Sequence, residues 1–176
     1  MISALALAAT LFAAEPEPKF ELPQTVGQAI VADLGLHILG VAYHRSISER
    51  IIGSIGLALY VPWTFTQNTF GLSGTYRSDL AGLVVRARAY FLIWHGLWFS
   101  PFIQGGAAKA TEGGGTVFGG VAAAGGSIGY AATLWDHLLI SGGLGVQLHA
   151  AWIGGGSPPS FLGAWPAVDL VIGYIW

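Results

Sequence analysis

The residues that could do chemistry in this chain are few. It has five histidines, His37, His44, His95, His137 and His149, four lysines or arginines and carboxylates that fall inside apolar stretches (Asp33, Arg86, Arg88 and Asp169), and no cysteine. The absence of cysteine removes thiolate nucleophiles, disulfides and Cys-based zinc sites together. The histidines show neither an HExxH nor a His-x-x-x-His spacing, so no metal site is expected and no cofactor is called for. His149 has Ser157 and Ser160 downstream, but no carboxylate lies close in sequence to orient it as a base. The glycine runs GGGTVFGG and AAAGG lack the strand, loop and helix context of a phosphate cradle. No catalytic residue is assigned, and the chain is read as a non-enzyme. The elements that position these polar residues carry more information than the residues alone.

Of 176 residues, 53% are hydrophobic and only 9% charged, against about 25% charged in ordinary soluble domains. With a mean hydropathy of +0.62 the chain belongs in lipid, and a net charge of -2 spread thinly gives no footprint for nucleic acid. Residues 1–14, MISALALAATLFAA, read as a signal-peptide-like segment too short to span a bilayer. Residues 15–27 read as a Pro- and Glu-rich periplasmic lead-in. The remaining residues, 28–176, form the single domain.

Its apolar stretches are mostly shorter than the roughly 20 residues of a helical span. Leu80 to Ile93 separates the two possibilities. On a helix Arg86 and Arg88 would point about 200° apart, leaving at least one in lipid at about 2.5 to 3.5 kcal/mol. On a strand they share one face with Val84 and Tyr90, and Leu83, Val85, Ala87, Ala89, Phe91 and Ile93 form an apolar opposite face. Residues 138–152 and 164–176 alternate in the same way. The expected fold is therefore all-β, a closed antiparallel up-and-down transmembrane barrel.

Strands are expected near 50–63, 80–93, 98–108, 120–134, 138–152 and 164–176, with two more from 28–45 turning near Leu36 to Leu39, eight in all. Even strand numbers put both termini on one side of the membrane. The short connections are HRSISER, IWHG and LWDH, and the longer ones begin at residues 64, 109 and 153. Aromatics near strand ends, Tyr43, Trp63, Phe91, Trp94, Trp98, Trp135, Trp152, Trp165, Tyr174 and Trp176, are expected at the membrane interfaces. The inward parity carries Asp33, Ser54, Arg86, Arg88, Gln104, Gln147, His149 and Asp169, expected as a polar network that fills the lumen.

The leader, the turn YHRSISERIIGSIGLAL, and the segments SPFIQGG, GSIGY and the terminal GYIW resemble small bacterial outer-membrane barrels of the OmpA and OmpX type. The resemblance covers residues 28–176. It implies an eight-stranded barrel in the bacterial outer membrane, inserted by the barrel assembly machinery, in contact with membrane lipids and lipopolysaccharide and working as a monomer. It implies a structural or envelope-integrity role, with a small-ligand or narrow-channel role as the alternative and a lipid-modifying enzyme behind both. No peptidoglycan-binding domain is expected after the barrel.

Overall fold

The computed structural model describes residues 20–21, 27–61, 80–112, 114–154 and 161–176. The leader, most of the lead-in, the stretch from 62 to 79 with Trp63, and Ser157 and Ser160 lie outside the described residues.

Alternation of apolar and small or polar residues produces nine strands. A two-residue strand, β1 (Phe20–Glu21), precedes β2 (Gln28–Gly35), β3 (Ile38–Ser48), β4 (Ile51–Tyr60), β5 (Ala81–Trp94), β6 (Leu97–Glu112), β7 (Gly115–Leu134), β8 (Leu138–Ile153) and β9 (Phe161–Ile175). Each of β2 to β8 pairs antiparallel with its successor, and β2 pairs with β9 to close the ring, giving the expected eight-stranded up-and-down barrel. The partners of Val31 run Ala42, Gly56, Arg86, Gln104, Ala123, His149 and Gly163, whereas β9 meets Val31 at Gly173, ten residues beyond Gly163. Such a stagger goes with strands tilted by about 35–45° and an interior filled by side chains.

Parity decides what each residue meets. Leu83, Val85, Ile103, Leu144, Val146 and Leu148 stand exposed on the outer wall. Val31, Val84, Val121 and Val171 are buried inside. At one end the turns are short. His95 and Gly96 both adopt positive φ, 38° and 89°, the twist that suits a two-residue hairpin. Trp135 and Asp136 do so in the turn before β8.

Three expectations are corrected. The segment from residue 109, read as a long loop for its glycines, is a continued ladder: Lys109 pairs with Phe118 and Glu112 with Gly115, and Gly114 turns the chain at φ 82°. Within the stretch read as a lead-in that resists strand, Phe20 and Glu21 pair with Leu134 and Thr133 of β7. β6 pairs with β7 only as far as Tyr130, so β1 takes up an edge that β6 leaves uncovered. Finally, Trp98 and Trp165, expected at the interfaces, are 1% and 3% exposed and point into the barrel. Their parity is that of Gln104 and Asp169, and parity outranks position along the strand.

Trp98 fits inside because two strands give way to it. Gly129 and Gly143 are register partners on β7 and β8, and a Cβ added to either would lie 2.4 Å from the Trp98 ring. The indole N–H then donates to Ser141 Oγ at 3.0 Å. Gly143→Ala should therefore destabilise the barrel by about 1–3 kcal/mol through overpacking. Trp98→Phe in the same background should recover part of that loss. Folding titrations in lipid vesicles measure both.

Candidate functional site

The polar residues of the lumen meet at mid-barrel because two pairs of strands present them at the same spacing. On β5, Arg86 and Arg88 are two residues apart and both face inward. On the opposite wall Asp33 of β2 and Asp169 of β9 lie on hydrogen-bonded neighbours, with Gly35 opposite Asp169. Two cations thus face two carboxylates across an interior narrow enough for arginine side chains to bridge.

Arg86 reaches both carboxylates, with Nη1 donating to Asp33 Oδ2 at 3.2 Å and Nη2 to Asp169 Oδ1 at 3.0 Å. Arg88 Nη2 donates to the same Asp169 oxygen, and its Nη1 to the Tyr90 hydroxyl at 2.8 Å. Ser127 Oγ from β7 donates to the second Asp169 oxygen. Asp169 is the hub, accepting from three side chains on two strands. The face of Phe102 on β6 carries the guanidinium carbons of Arg86 and Arg88 at 4.2 and 5.3 Å. All four charged residues are 7% exposed or less, so the charges leave water together and match formally.

The other inward polar residues do not join this cluster. Gln104 faces the lumen beside Arg86, without a bond to either carboxylate among the described residues. Gln147 Nε2 donates instead to the Pro166 carbonyl at 3.4 Å. His149 belongs to an aromatic layer toward the longer loops, where its ring lies 5.2 Å from Tyr60, 6.3 Å from Trp165 and 6.3 Å from His37. His37, in the turn between β2 and β3, stands edge-on to Trp165 at 4.8 Å. Burial, with His149 beside it, lowers its pKa to about 4 and keeps the ring neutral. Toward the short turns a second layer packs His44, Tyr90 and Trp98, with successive ring centroids 5.2 Å apart and Tyr90 edge-on to Trp98.

The lumen is thus charged in the middle and capped by rings on both sides. Among the described residues, small voids of about 20 Å³ by His44 and Trp98 and about 10 Å³ by His37 and Gln104 lie in it. Each has room for about one water. Ser127 and Tyr90 were not singled out as network members, although both have inward parity, the signal that would have found them.

Of the aromatics expected at the interfaces, Phe91, Trp94, Trp135, Trp152, Tyr174 and Trp176 are exposed on the outer wall or in turns, and Tyr43 is half-buried there. Its hydroxyl donates to Gln28 Oε1 at 2.6 Å. Tyr130, not singled out, is exposed among them at 47%.

Neither a family model nor a curated protein sequence matches the chain. Among solved structures it is similar to the N-terminal β-barrel domain of Pseudomonas aeruginosa OprF. That similarity has 10% sequence identity and a TM-score of 0.42, and covers 85% of this chain and 95% of that one. At this identity the likeness concerns the fold alone.

Proposed function

We propose that the chain is an integral barrel of the bacterial outer membrane with a structural or envelope-integrity role, its lumen closed by its own side chains. The observation that carries the reading is the Asp33, Arg86, Arg88 and Asp169 cluster, which spans the interior from β5 to β2 and β9. A cluster of that kind serves an element that stays shut, since opening it would leave charges without partners in a narrow apolar tube. The outer wall supports membrane residence: a belt of exposed Leu, Ile and Val is bordered near the short turns by Trp94, Trp135, Tyr174 and Trp176. Closure of all strands into a ring satisfies the backbone groups that lipid would otherwise leave bare. The reading gives His149 no catalytic task, because it is 1% exposed and walled by three rings. Membrane lipids, lipopolysaccharide and the barrel assembly machinery are its proposed contacts, and the monomer its proposed state.

Membrane residence is tested by refolding. Urea-unfolded chain should acquire β-sheet circular dichroism only on adding detergent or lipid, and the folded form should migrate faster on gels than the boiled form. A soluble, monomeric fold without amphiphile would overturn the reading.

Closure is tested at the hub. Asp169→Asn strands Arg88 and weakens Arg86, and should cost about 3–5 kcal/mol or open measurable conductance in planar bilayers. Asp33→Asn should cost less, because Arg86 keeps Asp169. Adding Arg88→Leu to Asp169→Asn leaves the Arg86 and Asp33 pair matched and should restore part of the loss. Conductance of the unsubstituted chain as large as that of Asp169→Asn would exclude a closed lumen.

A further inference from the structure

The outer wall is not evenly studded. Across β3 to β7 one row in register reads Arg45, Gly53, Ala89, Pro101 and Gly126: Arg45 pairs with Gly53, Gly53 with Ala89, and Pro101 with Gly126. After the arginine every member is small or flat. The row toward the longer loops alternates, with Tyr43, Ile55 and Ile103 set among Ala87 and Ala124, and the row toward the short turns holds Ile51, Phe91 and Phe99, with Ile47 over Gly53 and the Phe99 ring against Gly126. Gly53, Ala87, Ala89 and Pro101 among these bulkier side chains leave a trough on β3 to β6, a depression of about 550 Å³. Its lining is mostly apolar, and of Arg45, Ser54 and Arg88, which also line it, only Arg45 is exposed.

The stagger of the barrel gives this trough a direction. Rows followed from β2 toward β9 shift toward the longer loops, since the row through Val31 reaches β9 at Gly163 rather than Gly173. The Arg45 end therefore lies nearest the short-turn rim, and the row climbs obliquely into the apolar belt. Three inter-strand steps of about 4.8 Å, from β3 to β6, make the trough about 14 Å long. One leaflet of hydrocarbon is about 15 Å deep, so the trough accepts one extended acyl chain entering from the interface. At its mouth Arg45 is exposed, and Gln28 is its register partner on β2. The Gln28 carbonyl is occupied by Tyr43, which leaves its amide N–H groups as donors for an acceptor oxygen. A cation and amide donors at the interface, followed by a narrow apolar channel, match a phosphate followed by an acyl chain.

We propose that this trough is a binding site for one glycerophospholipid of the leaflet at the short-turn end, with its phosphate against Arg45 and one acyl chain along Gly53, Ala87, Ala89 and Pro101. The proposal rests on the membrane-barrel reading.

The full chain, refolded in detergent, is titrated with phosphatidylglycerol or with diacylglycerol of the same chains, and retained lipid is counted by native mass spectrometry. One phosphatidylglycerol should persist on the unsubstituted chain. Ala89→Leu, which fills the trough without adding charge, should lower retention of both lipids. Arg45→Gln should lower retention of phosphatidylglycerol at least about five-fold, the factor that ~1 kcal/mol per interfacial cation corresponds to, and leave diacylglycerol unchanged. Ala164→Leu, on the outer wall of β9 away from the trough, should alter neither. Retention unchanged in Ala89→Leu, or lowered equally by Ala164→Leu, means unspecific surrounding lipid only and overturns the site while leaving the barrel intact. A chain that does not fold in detergent overturns both, and its gel mobility tells the two failures apart.

Discussion

Everything in this molecule depends on the closure of β2 against β9. A sheet of eight strands left open would carry a row of bare N–H and C=O groups along each edge, at several kcal/mol for each group left unsatisfied in hydrocarbon. Joining Ala29 through Gly35 to Ile175 through Asp169 removes both edges at once. The stagger at which they join then sets the tilt of every strand, the width of the interior, and which inward residues stand level. Asp33 and Asp169 become neighbours only through this seam, although 136 positions separate them in sequence. The charged cluster is thus a consequence of closure as well as a brace across it.

The interior is layered by chemistry. Charges sit at mid-height, where Arg86 and Arg88 can reach the far wall, and rings lie above and below them. This order follows from size as much as polarity. Arginine is long enough to cross the tube, whereas Trp98 and Trp165 are bulky and need facing strands to yield space. The pairing of Gly129 with Gly143 gives the Trp98 ring that space. Replacing water in so narrow a tube requires both matched charges and matched volumes.

Much of this was legible in the chain. The period of two around Arg86 and Arg88 gives the strand, its inward face and the need for partners, and only two mid-strand acids share that parity. Eight strands follow once residues 28 to 45 are split, and the chain does turn at Leu36 and His37. What failed had a common cause. Trp98 and Trp165 were placed by residue type and distance from a turn, yet aromatics are as welcome in a lumen as at an interface, and only parity distinguishes the two. The glycines of residues 113–115 read as a loop because glycine usually punctuates. Here Gly114 punctuates only one tight turn, through its positive φ, and the ladder runs on to it from both sides. The distances among Asp169, Arg86 and Arg88 depend on the stagger, which no local pattern encodes.

The reach of β6 and β7 gives the barrel an uneven skyline. Strands of 16 and 20 residues stand beside strands of 8 to 11 on the other flank, while about 9–11 residues suffice to cross a bilayer. The surplus rises on one side as a two-stranded post, stiffened by its own ladder and tipped by the turn at Gly114, with Phe118 72% exposed on its outer side. Among the described residues this outline is not round when viewed down the barrel axis. It presents a front and a back to whatever packs against it, so neighbouring molecules will favour some rotational settings over others.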